Sequence, residues 1–141
     1  MDQKPLRIFN VNEILAGLPL ADLSRGVEQE DDADAFPMQA AFGSGGLFIG
    51  GFVGLAPWEN HPDTDELLYA VEGEVEITIL TDAGAQTEML RQGCVCIVPK
   101  GLWHRQHAHA PVRLMTISGP SLSSRGDDPR PVDSPQPVAP A

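Results

Sequence analysis

The chain has 141 residues, 42% of them apolar, enough for one domain with its own hydrophobic core and no disulfide staples. Its 20 acidic residues against 9 basic ones give a net charge of −11, which disfavours nucleic acid and anionic membrane surfaces as partners. No apolar run approaches the ~20 residues of a membrane helix, and Met1 to Asn10 lacks the apolar core of a signal peptide, so a cytoplasmic protein is expected.

Asn10 with Glu13 three residues on reads as a capped helix start, and Gly17 with Pro19 stops the helix after Ala16. The acidic run Glu28, Glu30, Asp31, Asp32 and Asp34 reads as a solvated loop. From Phe36 the pattern changes to short strands, expected over 38–42, 47–55, 66–71, 74–80, 86–91, 94–98, 104–109 and 112–118. In the fourth of these, Val75, Ile77 and Ile79 share one face while Glu74, Glu76 and Thr78 share the other, as a strand with one dry side requires. Eight such strands with turns between them point to an antiparallel sandwich or barrel. Six of the chain's 13 prolines follow Ser118, with almost no large apolar residue, so an extended or disordered tail is expected there. Cys94 and Cys96, two apart, are poorly placed for a disulfide within one strand and read as small buried hydrophobes.

The four histidines fall in two short zones, which marks a candidate site. A divalent metal takes three or four ligand atoms at ~2.0–2.2 Å, commonly imidazole nitrogen and carboxylate oxygen. Glu59 and His61 are two apart and share a strand face. Glu66 returns after a turn at Pro62–Thr64, and His104 opens a distant strand after a Pro-x-Gly turn. His61, Glu66 and His104 would supply two imidazoles and one carboxylate, a set suited to Fe, Mn, Ni or Zn. The fourth position falls to Glu59, with Asp63 or water as the alternative. The bland readings stay beside these: His104 as a hydrogen-bonded pocket histidine and Glu66 as a surface carboxylate. His107 and His109 have the opposite parity to His104 and face away from the pocket, whereas Gln106 faces into it. Trp58, next to the ligands, would line the pocket mouth.

Two segments carry a family resemblance. Gly93-x5-Pro99-x-Gly101-x2-His104 is similar to the second motif of the cupin superfamily, and His61-x4-Glu66-x6-Gly73 to the later part of the first. Glu59 stands where the family's first histidine would be, Gly54 lies one residue too close for its leading glycine, and Ala108 replaces its final asparagine. The resemblance covers about 38–118 and implies an all-β fold, an antiparallel double-stranded β-helix or jelly-roll barrel, here with a short N-terminal helix. It divides the chain into an N-terminal extension (1–35), a barrel (36–118) and a Pro-rich tail (119–141). It implies a small-molecule ligand, a divalent metal held by His61, Glu66, His104 and Glu59, and a homodimer. The function it implies is metal-dependent chemistry of dioxygenase, isomerase or lyase type. The replaced histidine keeps open a second reading, a non-catalytic ligand-binding or sensor barrel without metal.

Overall fold

The computed structural model describes residues 3–24 and 35–130. The acidic run and residues 131–141 lie outside the described residues. Helix α1 (Val11–Ala16) starts where Asn10 Oδ1 accepts the Glu13 amide and ends at Gly17, whose N–H returns to the Ile14 carbonyl. Ten strands follow among the described residues: β1 (Ala21–Leu23), β2 (Met38–Phe42), β3 (Gly45–Leu55), β4 (Trp58–Asn60), β5 (Glu66–Glu72), β6 (Val75–Thr81), β7 (Gly84–Leu90), β8 (Val95–Val98), β9 (His104–Ser118) and β10 (Leu122–Ser124).

The sheet curls around β9. The C-terminal half of β9 lies between β3 and β5, with Thr116 opposite Phe48 on one side and Leu68 on the other. Its N-terminal half lies between β6 and β4, with His104 opposite Ile79 and Glu59. β8 extends the first wall beside β5, β7 extends the second beside β6, and all these pairings are antiparallel. Among the described strands, β1 alone runs parallel to its neighbour, β3. Outside the exposed residues 109–111, the even-numbered residues of β9 point inward: Gln106, Ala108, Val112 and Leu114 are buried, and Arg105, His107, Arg113 and Met115 are less so. They pack with Leu68, Ala70, Val75, Ile77 and Val98 in the main core.

Two expected strands, 104–109 and 112–118, are one. Phe52 pairs with Val112 but Gly54 pairs with Ala108, so residues 109–111 bulge out of the β3 ladder. Pro111 sits in that bulge, where no ladder N–H is needed. The segment after Ser118 also returns to the barrel, because Leu122–Ser124 pairs antiparallel with Trp58–Asn60. Cys94 departs from expectation. It precedes β8 in the turn after Gly93 and is exposed, while Cys96 inside the strand is half-buried against the core, and both are free thiols. No helix among the described residues is long and apolar enough to cross a membrane.

Candidate metal centre

The site is assembled by two loops that are tied together. The Gly101 N–H donates to the His61 carbonyl at 2.9 Å, and Asn60 Nδ2 donates to the Gly101 carbonyl at 3.1 Å. Gly101 has φ 80°, a conformation glycine adopts without strain, and this lets the Pro-x-Gly turn fold back on His61. The Lys100 N–H donates to Asp65 Oδ1 at 2.9 Å, fixing the same turn to the loop that precedes Glu66. His61 after β4, Glu66 at the start of β5 and His104 at the start of β9 therefore converge.

Their side chains are 5%, 5% and 1% exposed. His104 Nε2 lies 2.8 Å from Glu66 Oε1, and His61 Nε2 lies 3.6 Å from Glu66 Oε2. The two imidazoles are stacked, 5.3 Å between centroids. Glu59 joins them: one ligand atom from each of Glu59, His61, Glu66 and His104 lies within 4.8 Å of the others. Asp63 is exposed and stands outside this group.

The hydrogen bonds fix the tautomers. His61 Nδ1 is 2.9 Å from the Gly119 carbonyl, and His104 Nδ1 is 3.2 Å from the Leu102 carbonyl. A carbonyl can only accept, so each Nδ1 carries the proton and each Nε2 turns its lone pair inward. With that tautomer, His61 Nε2, His104 Nε2 and Glu66 Oε1 are buried acceptors that face one another and meet no donor among the described residues. Three acceptor atoms converging with no proton between them demand a cation, either a metal ion or a proton taken up by an imidazole. The donor set, imidazole nitrogen with carboxylate oxygen, fits a borderline divalent metal.

The electrostatics follow from this crowding. Burial opposes ionisation of Glu66, but where protons rather than a metal supply the cation, hydrogen bonds from the protonated His104 and His61 and their charge outweigh it and hold the carboxyl at about 2. Burial lowers His61, but the Glu66 contact and the Glu66 and Glu59 charges overcome it, so the imidazole is raised. Glu59 is raised by burial and by the Glu66 charge, so it gives up its proton reluctantly until a cation arrives. Burial, with a contribution from Glu66, also pushes the Cys96 thiol up to about 11.

The cluster closes one end of a cavity of about 350 Å³. Its polar lining is Glu59, His61, Glu66, Gln106, Thr116, Ser118 and Ser121, and Phe36, Phe48 and Phe52 supply an aromatic wall. Among the described residues, no lysine or arginine lines it. Gln106, two residues beyond His104, faces this cavity. Trp58 does not line it: neighbouring Glu59 faces inward, so Trp58 takes the other face of β4 and packs with Leu80 and Trp103, with the Arg105 guanidinium 4.5 Å from its ring. Sequence reasoning missed the phenylalanines and Ser121. The i, i+2, i+4 spacing of Phe48, Gly50 and Phe52 could have revealed two of the three rings. Phe36 carries no such pattern.

An antiparallel double-stranded β-helix with an imidazole–carboxylate cluster at one end of its interior defines the class of protein. The family model for the cupin domain matches residues 53–118, which supports membership of the cupin superfamily. The chain is 34% identical over 58 residues to the uncharacterised protein YdbB of Bacillus subtilis, which spans 41% of this chain and 49% of that one. The chain covers half or less of the length of the curated relatives it matches. Among solved structures, the fold is similar to an uncharacterised Klebsiella pneumoniae protein with a double-stranded β-helix domain. There the identity is 15% over 86% of this chain and 100% of that chain, with TM-score 0.60. It is also similar to hydroquinone 1,2-dioxygenase from Sphingomonas sp. TTNP3 with 4-hydroxybenzoate bound, at 17% identity over 85% of each chain, with TM-score 0.56.

Proposed function

We propose that this cupin is a metal-dependent enzyme acting on a small, uncharged, flat organic molecule, with His61, Glu66, His104 and Glu59 as the ligands of one divalent ion. The observation that supports it best is the convergence of three buried acceptor atoms, with no donor facing them, at the end of an aromatic-walled cavity. A bound ion would supply Lewis acidity, and iron(II) would add dioxygen chemistry.

The chain's own residues have separable tasks. Glu66 balances the ion's charge and fixes both imidazoles. Glu59, whose carboxyl is raised by burial and by the Glu66 charge in the metal-free protein, would ionise to complete the ion's shell. Ser121 and Gln106 offer polar contacts to substrate, and Phe36, Phe48 and Phe52 bind its apolar body and exclude water. With no cationic side chain among the described lining residues, a free carboxylate on the substrate would find no partner there besides the ion. A neutral phenol is therefore the preferred class. Two exposed apolar pairs, Leu6 with Ile8 and Val95 with Ile97, support a homodimer that covers them.

The test loads the full chain anaerobically with iron(II), then measures dioxygen uptake with a panel of simple phenols and matching aromatic acids. Phenol-dependent uptake, with acids poorer and a Glu66→Ala variant inactive, is the expected result. Phenols that bind with no turnover under iron, manganese, nickel or zinc would overturn the enzyme reading and leave a ligand-binding barrel.

A further inference from the structure

A second group of metal-type donors lies on the opposite surface of the barrel wall. His107 and His109 stand two apart on the outward face of β9, and Glu76 of β6 is directly opposite His107 in the ladder. Residues two apart on a regular strand sit ~6.5 Å from one another, yet these two rings approach to 3.9 Å between centroids. His109 is the first residue of the bulge that carries Pro111, where the backbone leaves the β3 register. Glu76 Oε1 is 3.7 Å from His109 Nε2. One ligand atom from each of Glu76, His107 and His109 lies within 4.8 Å of the other two.

We propose that Glu76, His107 and His109 form a second, external site for a borderline divalent metal of the zinc class, independent of the barrel centre. The ligand set is two imidazoles and one carboxylate, which zinc accepts in tetrahedral geometry with water at the fourth position. The Arg105 guanidinium, whose charge reaches His107, lies over the Trp58 ring at 4.5 Å and is not one of the donors. The side chain of His109 is 59% exposed and that of Glu76 34%, so an ion enters directly from solvent. Bound there, it ties β6 to β9 beside the bulge and raises the melting temperature of the chain.

The experiment titrates untagged, chelator-stripped full chain with zinc chloride while following the histidine ring nitrogens by ¹⁵N NMR. This reports the outer pair and the barrel pair separately in the unaltered protein. Saturable shifts at His107 and His109 are expected, whatever happens at His61 and His104. Two surface variants, Glu76→Gln and His109→Asn, should each weaken the outer site by at least ~10-fold, the loss seen when even a ligand's supporting residue is disturbed. Shifts confined to His61 and His104, or outer-pair shifts unchanged in both variants, would overturn the proposal.

Discussion

Replacing Glu66 with Gln in the metal-free protein isolates the charge at the centre of the cluster while keeping its shape. The carboxyl falls from its ordinary 4.5 to about 2 on folding. That drop corresponds to at most about 3 kcal/mol favouring the ionised form at neutral pH. A depressed carboxyl contributes stability above its unfolded value and loses it as pH falls, so the advantage over Glu66→Gln should shrink between about pH 5 and 2. His61 is raised largely by Glu66, and a raised imidazole contributes below its unfolded value and loses that contribution as pH rises through the folded one. The advantage should therefore also fade on the alkaline side. Urea unfolding of both proteins across this range should give a bell-shaped difference in stability. Its maximum corresponds to about 10 °C in melting temperature for a domain of this size. A saturating divalent metal should abolish the alkaline limb, because the ion's charge does not titrate. A flat difference across pH would refute the reasoning that Glu66 is held ionised by the imidazoles.

Three further outcomes follow from the same geometry. Gly50→Ala would place a methyl group 1.9 Å from the Ala35 carbonyl oxygen and 2.7 Å from Phe36 Cγ. Overpacking should then cost ~1–3 kcal/mol and displace the aromatic wall, and an unchanged thermal melt would contradict that packing. A thiol reagent at pH 8 should modify exposed Cys94 quickly and Cys96, pushed up to about 11, slowly; Cys94→Ser should remove only the fast phase. Metal binding favours the ionised form of Glu59, whose carboxyl is raised by burial and by Glu66, so proton release on loading should grow as pH falls. Calorimetry in buffers of different ionisation enthalpy should show that release diminished in Glu59→Gln, and an identical buffer dependence in both proteins would count against Glu59 as a ligand.

Much of the fold was legible because its signals are local. The alternation through Val75 and Ile77, the turn glycines and the spacing of Gly93, Pro99, Gly101 and His104 each reflect a backbone requirement at a fixed position. β1, β4 and β10 have three residues each and pair with strands distant in sequence, so no periodicity announces them. The break read between His109 and Val112 came from Pro111, which a β-bulge accommodates within one strand. In the site, parity along β9 placed Gln106 inward and His107 outward, whereas proximity in sequence misplaced Trp58, which parity along β4 sends to the other face. Phe36 and Ser121 reach the cavity through long-range docking of their segments, a tertiary event that local sequence does not encode. Cys94 was misread because its turn, not its strand, determines its exposure.

Whether the buried cluster holds a metal is tested most directly by elemental mass spectrometry of untagged His107→Ala/His109→Ala protein, a background that removes the outer donors. The protein is loaded anaerobically with iron(II), manganese, nickel or zinc in turn and desalted. One equivalent of a divalent metal, lost on adding His104→Ala to a variant whose circular dichroism shows an intact fold, is the expected result. No retained metal with any of the four ions, or one equivalent that survives the loss of His104, would contradict a metal centre built on His61, Glu66, His104 and Glu59.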